Sequence, residues 1–581
     1  MGKKEQGVTR RQVIAGAGAL SMGAITLSSA QAGSASNWDH ETDILVVGSG
    51  VGAATAAITA HENGDAVLVI EKAPITGGTS AKSAGVLWIP DNFTLRAKGI
   101  KDKKEDCLRY VARYSYPEKF NPADTQLGLS ASEFGLLEAF YDNASSATDS
   151  LRDHGALNLA EWRMFFLDRP ATDYLDHVPE NKVPAGRALG PLKEDGTMGG
   201  GPELMTQLTA GVKTRKIPLL TNHRAIRLIL NADGRVSGVE AVSGDTKVRI
   251  RARKATIFAT GGYVHNPEFL GMYQPSRLWG SCAMPWITGD FINIAGAAGA
   301  RMGIMSSAWR TQIMLEEALQ SSKLAAGVFF PPGDSMVQVN RHGVRVVNEN
   351  RNYNDRTEVH GVYDASQAEF PNQLLFMVYD KRTAEGYSGV YPIPGNSNEA
   401  AQVLKGNSLE ELAADIDRRL GEIAAQTGGV SLAPSFADNL KKTITRFNGY
   451  AKSGSDAEFQ RGQAAYDTEW HQVFSPMKAD SGWPANEGPN ITMHPFRNEG
   501  PYYAMILAAG ALDTCGGPAI DASARVLDTE DQPIPGLYGA GNCIASPSGE
   551  AYWGAGHTLG LSMTFGYIAA NAAHLEPRDD A

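Results

Sequence analysis

Thr42-Asp43-Ile44-Leu45-Val46-Val47-Gly48-Ser49-Gly50-Val51-Gly52-Ala53 starts as an apolar run and then turns on glycines. An Ala-rich helical pattern follows and stops at Asn63-Gly64, a helix-ending pair. Ala66-Val67-Leu68-Val69-Ile70 makes a second buried strand, closed by Glu71. Strand, glycine turn, helix, strand and acid together form the dinucleotide fingerprint, with Ala53 at its last position. Its glycines let the backbone approach a pyrophosphate, and the helix N-terminus supplies N–H donors and a positive dipole. Gly48, Gly50, Val51, Gly52 and Ala53 are the expected contacts, and Glu71 would accept from ribose hydroxyls. An ordinary structural turn would explain the glycines alone, but not the whole unit. The expected fold is α/β, built on a Rossmann-like domain.

NAD is the rival ligand, and the next segment argues against it. Glu71-Lys72-Ala73-Pro74-Ile75-Thr76-Gly77-Gly78-Thr79-Ser80 resembles the second phosphate and flavin loop of FAD enzymes in the fumarate reductase and succinate dehydrogenase superfamily. That resemblance makes Lys72, Gly77, Gly78, Thr79, Ser80, Ser83, Ala84 and Gly85 candidate FAD contacts. Downstream, Asn231-Ala232-Asp233-Gly234 signals a hairpin between Ala225–Leu230 and Arg235–Glu240. Ala255-Thr256-Ile257-Phe258 then reads as a buried strand entering Ala259-Thr260-Gly261-Gly262. The family arranges its FAD domain in this way, which adds Ala225, Ile226, Ala259, Thr260 and Gly261. A second flavin motif, Gly539-Ala540-Gly541-Asn542, adds Gly541 and Asn542, and Thr558-Leu559 closes the set. Respiratory relatives attach flavin covalently through a histidine before the Gly-Gly pair. None lies between Glu71 and Gly77, so non-covalent FAD is expected.

A chain of 581 residues is too long for one ordinary core. At 43% hydrophobic and 20% charged it is globular in composition. A net charge of −11 offers no basic field for nucleic acid. Thr9-Arg10-Arg11-Gln12-Val13-Ile14 leads into an apolar stretch and Ala30-Gln31-Ala32, the pattern of a twin-arginine signal over residues 1–32. Export of a folded, FAD-loaded protein to the periplasm or the outer face of the cytoplasmic membrane is expected. An uncleaved anchor and an ordinary basic N-terminus are the alternatives. Cys107, Cys282, Cys515 and Cys543 have the spacing of neither a zinc nor an iron–sulfur site.

The FAD-type sequence places a first FAD segment at 38–275, an inserted α+β catalytic cap at 276–494 and a second FAD segment at 495–576, with substrate at the interface. In Gly343-Val344-Arg345-Val346-Val347-Asn348-Glu349-Asn350-Arg351-Asn352-Tyr353, fumarate reductases resemble this chain but place a proton-donating arginine where Tyr353 stands. A tyrosine can accept a proton if its phenolate is stabilised. Its ordinary pKa near 10 would have to fall, and Arg351 is one candidate source. Ser546-Pro547-Ser548-Gly549-Glu550-Ala551-Tyr552-Trp553-Gly554-Ala555-Gly556-His557 lacks the carboxylate-binding arginine that fumarate reductases carry near residue 557. The Tyr552 hydroxyl and the Gly556 N–H could instead hold a carbonyl oxygen as enolate charge builds. Pro170-Ala171-Thr172-Asp173-Tyr174 resembles a loop bearing an assisting tyrosine.

Together these features resemble the 3-ketosteroid Δ1-dehydrogenases from Asp43 to about Ala570. The resemblance implies that Tyr353 takes the proton alpha to the ketone and Tyr174 polarises it. Tyr552 and Gly556 would hold the carbonyl while FAD accepts the beta hydride. Trp553, Ala555 and His557 depart from the steroid enzymes, and Trp553 could narrow the pocket. A smaller alicyclic ketone such as cyclohexanone is therefore the alternative substrate. The segment Ala325–Met336, with Phe329-Phe330-Pro331-Pro332, could shape the entrance. An enoate reductase and a non-catalytic FAD-binding protein are the rivals from other classes. The electron acceptor is unwritten in the sequence, and a quinone or small redox carrier suits the membrane's outer face.

Overall fold

β1 (His40–Val47) has its last six residues buried, as expected of a parallel strand covered on both faces. In this computed structural model the described residues are 38–164, 167–325 and 327–580, so the signal expected at 1–32 lies outside them. From Asp39 onward the chain forms one unit. β1 pairs in parallel with β2 (Val67–Ile70), Ile44 opposite Val67 and Val47 opposite Ile70. On its other side it pairs in parallel with Thr246–Phe258. The eight-stranded sheet runs Arg525–Leu527, Pro533–Gly539, Thr246–Phe258, β1, β2, Leu219–Leu220. The expected hairpin, Arg224–Leu230 with Val236–Ser243, joins it through Thr246–Phe258. The strand order reverses around β1, so the carboxyl ends of β1, β2, Thr246–Phe258 and Pro533–Gly539 open onto one crevice.

α1 (Val51–Glu62) connects β1 to β2 and buries Val51 through Ala60. Its glycine is needed for packing. A Cβ on Gly52 would lie 2.8 Å from the Ser562 carbonyl oxygen of the helix His557–His574, and one on Gly566 would lie 2.3 Å from the Gly52 oxygen.

The cap carries a five-stranded antiparallel sheet in the order Ala308–Met314, Tyr502–Thr514, Leu374–Asp380, Met336–Val339, with Leu404–Gly406 also on Tyr502–Thr514. The helices Leu409–Glu422 and Phe436–Ser453 cover it through Leu412, Ile416, Leu440 and Phe447. After Thr514 the next strand, Arg525–Leu527, belongs to the eight-stranded sheet. The thirteen-residue strand Tyr502–Thr514 has almost every position buried, and its partners all lie in the cap sheet.

Candidate active site

The carboxyl end of β1 leads into Gly48, whose φ of +113° requires glycine. A Cβ there would lie 2.3 Å from the Ala259 carbonyl oxygen. Gly50 caps α1. Ser49 Oγ donates to Glu71 Oε2 at 2.7 Å and accepts from the Gly77 N–H at 3.0 Å. The Ala73 N–H donates to Glu71 Oε1 at 2.8 Å. Glu71 is thereby fixed at the end of β2, as the ribose acceptor of the fingerprint must be. Ser80 Oγ accepts from the Val51 N–H at 3.1 Å, tying the second loop to the first turn of α1.

One continuous cavity runs over these strand ends and into the cap. Gly48, Gly50, Val51, Gly52, Glu71, Lys72, Gly78, Thr79, Ser80, Ser83, Ala84 and Gly85 line it, as do Ala225, Ala259, Thr260, Gly261, Gly541, Asn542, Thr558 and Leu559. Tyr174, Tyr353, Tyr552 and Gly556 line the same cavity. Three expected contacts do not. Ile226 is exposed, because strand alternation turns Ala225 inward and its neighbour out. Ala53 is wholly buried inside α1. Gly77 serves through its N–H to Ser49 rather than by facing the cavity. Lys72 lines the cavity, but its charge is engaged by Asp290 at 2.9 Å.

Tyr353 opens the short helix Tyr353–Glu358, capped by the Asn352 side chain accepting from the Asp355 N–H. Tyr174 sits on a loop held by its neighbour. The Arg187 guanidinium, fully buried, meets Asp102 at 2.7 Å and Asp173 at 2.5 Å, and the Trp88 indole donates to Asp173 at 2.8 Å. The Tyr174 N–H donates to the Trp553 carbonyl oxygen at 3.1 Å. So positioned, the Tyr174 hydroxyl donates to the Tyr353 hydroxyl oxygen at 2.9 Å. The Tyr552 ring lies 5.3 Å from that of Tyr353, and 5.4 Å from that of Tyr174 in a stacked pair. Gly556, at φ +88°, caps the eighteen-residue helix His557–His574. The helix end and its positive dipole thus face the tyrosines' side of the cavity.

Burial pushes the Tyr353 hydroxyl well above its ordinary range, and neighbouring Tyr552 pushes the same way, while the hydrogen bond from Tyr174 opposes it. Burial likewise raises Tyr174. Arg351, one candidate source of compensating charge in the sequence, is not among the main influences on Tyr353. It acts on Asp355, Asp467 and Tyr466 instead.

A profile of the FAD binding domain family matches residues 43–559. The chain is 32% identical to 4-oxocyclohexanecarboxylate 2-dehydrogenase of Sinomonas cyclohexanicum, across 91% of this chain and 92% of that protein. It is 28% identical to 3-oxosteroid 1-dehydrogenase of Mycolicibacterium smegmatis, across 91% and 97%. Among solved structures, 3-ketosteroid Δ1-dehydrogenase from Sterolibacterium denitrificans superimposes with a TM-score of 0.74 at 27% identity, across 92% of this chain and 99% of that one. The chain belongs to this family of FAD-dependent dehydrogenases. It shares the wider class with the fumarate reductases.

The cradle fits the family's cofactor. Gly48 and Gly52 leave no room for a side chain, Gly50 caps a helix whose N-terminus faces the crevice, and Glu71 is fixed in place. The cavity of this flavoprotein also takes in groups that no motif announces. Trp309 Nε1 donates to Asn542 Oδ1 at 2.9 Å, and Asn542 Nδ2 donates to Asp513 Oδ2 at 3.0 Å. Trp162, Phe330, Trp470 and Phe474 line the cap end, with Phe330 and Phe474 rings stacked at 4.6 Å. The Trp470–Phe474 spacing of four residues on one helix was the available signal. The entrance expected from Ala325–Met336 is represented by Ala325, Gly327, Val328 and Phe330.

Trp553 does not narrow the pocket. It is fully buried against Trp88 and Phe140, and its indole donates to Ser115 Oγ at 2.9 Å. His557 does not line the cavity either, and its ring packs against Tyr552 and Trp309, which do. Its Nε2 lies 2.8 Å from Ser548 Oγ and its ring is edge-on to Trp553 at 4.3 Å. Burial holds it well below the ordinary histidine range, so it is neutral. No arginine lines the cavity among the described residues, and none of them form a cluster suited to a metal ion. All four cysteines are free thiols.

Proposed function

We propose that this flavoprotein introduces a C=C bond alpha,beta to a ring ketone, and that 3-ketosteroid 1,2-desaturation is its reaction. The carrying observation is the Tyr174–Tyr353 hydrogen bond at 2.9 Å, beside Tyr552 and Gly556 in a cavity without an arginine. The ketone oxygen lies between the Tyr552 hydroxyl and the Gly556 N–H, at the positive end of a helix, where developing enolate charge is stabilised. Tyr353 takes the alpha proton, and Tyr174 stabilises the phenolate by donating to it. FAD, when bound, supplies the acceptor for the beta hydride. Trp162, Phe330, Trp470 and Phe474 give the cap end an apolar surface that suits a hydrocarbon skeleton.

The second reading, a smaller alicyclic ketone, is favoured by the 32% identity to a 4-oxocyclohexanecarboxylate dehydrogenase. Anaerobic mixing of the holoprotein with androst-4-ene-3,17-dione, and separately with cyclohexanone and 4-oxocyclohexanecarboxylate, decides between them. Flavin bleaching by the steroid alone supports the first reading, and bleaching by a monocyclic ketone alone supports the second. If none bleaches the flavin while dithionite does, both fail. The Arg10-Arg11 pattern supports export, with electrons passing to a quinone or small redox carrier. Retention of a fusion in the cytoplasm of a strain competent in twin-arginine export would overturn that part.

A further inference from the structure

Arg356 is fully buried, yet among the described residues it makes no salt bridge. Its guanidinium donates only to neutral oxygens: Gln312 Oε1 at 3.0 Å, the Arg351 carbonyl at 3.0 Å and the Phe329 carbonyl. The carboxylates on its own helix are occupied elsewhere. Asp355 accepts from the Tyr114 hydroxyl at 2.7 Å, and Glu358 pairs with Arg310 at 2.8 Å. His360, the next titratable group along the chain, is held neutral by burial. Arg351 directs its charge to Asp355, Asp467 and Tyr466. Tyr174, Tyr552 and Tyr466 are the titratable groups that face Tyr353.

A buried guanidinium without a counter-ion is expensive to keep, and one retained only for structure is normally paired with a carboxylate. Burial opposes the charge of Arg356, and the groups that favour the charge are the hydroxyls of Tyr466 first, then Tyr353 and Tyr174. Arg356 also lies three residues after Tyr353 on one helix, and so on the same face. We propose that Arg356 is the counter-charge of the Tyr353 phenolate, a positioning residue that sets the pH at which Tyr353 can take a proton. The inference rests on Tyr353 acting as the base. When Tyr353 gives up its own proton, the phenolate and the guanidinium neutralise each other within the protein. When it takes the alpha proton, the negative charge passes to the enolate oxygen, held by Tyr552 and Gly556.

The test uses holoprotein of wild type, R356Q and R356K. Flavin reduction by the ketone that bleaches the wild type is followed against pH. Loss of the charge in R356Q is expected to move the rising limb of that profile up by about 1 to 3 pH units, with R356K close to wild type. A second readout needs no turnover. The tyrosinate absorbance that Y353F removes should titrate later by a similar interval in the R356Q background. An unmoved profile and titration in R356Q, or equal shifts in R356Q and R356K, would overturn the proposal. Loss of FAD from both variants would also overturn it, by assigning Arg356 to stability. If no ketone bleaches the wild-type flavin, the ring-ketone reading fails, while the tyrosinate titration still decides the role of Arg356.

Discussion

Tyr353 carries the proposed chemistry through one oxygen atom, so removing that atom tests it cleanly. Tyr353→Phe should retain FAD yet slow flavin reduction by about 10²- to 10⁴-fold, the range for loss of a positioned base. Stopped-flow absorbance reads both quantities. Asp513 makes a separate, pH-dependent prediction. Burial pushes its carboxyl up to about 6, against the opposing hydrogen bonds from Gly262 and Asn542. The folded apoprotein therefore holds this proton more tightly than the unfolded chain. That contribution to stability is fully present below the ordinary Asp range near 3.8 and is lost as pH rises through about 6. Apoprotein melting should fall across that interval in wild type, and the fall should be smaller in Asp513→Asn. At this scale the sequence was legible as to place: the motif glycines Gly48, Gly50 and Gly52, Glu71 and the four catalytic candidates all line one cavity. Direction was harder to read. Arg351 precedes the helix that begins at Tyr353, whereas Arg356 lies on it three residues after Tyr353, a difference that nearness in sequence does not reveal. Trp553 follows Tyr552 directly, yet its side chain enters the core on the far side of the backbone.

At the scale of elements, the Tyr174 loop is the part most exposed to a single change. Asp173→Ala would leave Arg187 half-paired at zero exposure and Trp88 Nε1 without its acceptor. The expected cost is about 3 to 5 kcal/mol, as for other broken buried pairs. Denaturant unfolding measures that loss, and flavin reduction should slow with it because Tyr174 loses its anchorage. The β1–α1–β2 unit was readable from periodicity and turn residues, and so was the hairpin around Asn231–Gly234. The cap strand Tyr502–Thr514 was not. An apolar run carries no label for the sheet it joins, and only its pairing with Ala308–Met314 and Leu374–Asp380 assigns it.

For the whole molecule, the absence of a histidine between Glu71 and Gly77 predicts FAD that leaves on denaturation. Acid precipitation should return all the yellow colour to the supernatant. Rebinding FAD at a hundredfold excess over its Kd should stabilise the apoprotein by about 2.7 kcal/mol, seen as a rise in melting temperature. The cavity joins strand ends of one sheet to side chains of the other, and that partnership was foreseen from FAD-type sequence on both sides of the cap. Of its aromatic lining only Phe330 was foreseen, because Trp162 and Trp470 come from separate segments with no shared motif.

The Phe329–Phe330 peptide bond links the buried guanidinium to the cavity wall. The carbonyl of Phe329 accepts from Arg356, and the next residue along that same bond is Phe330, whose ring lines the cavity. On the proposed roles, recognition and reactivity meet at this bond. On the proposed role of Arg356, a redesign of Phe330 to admit another skeleton would be registered twice, once as fit and once as a changed readiness of the enzyme to ionise what it has bound.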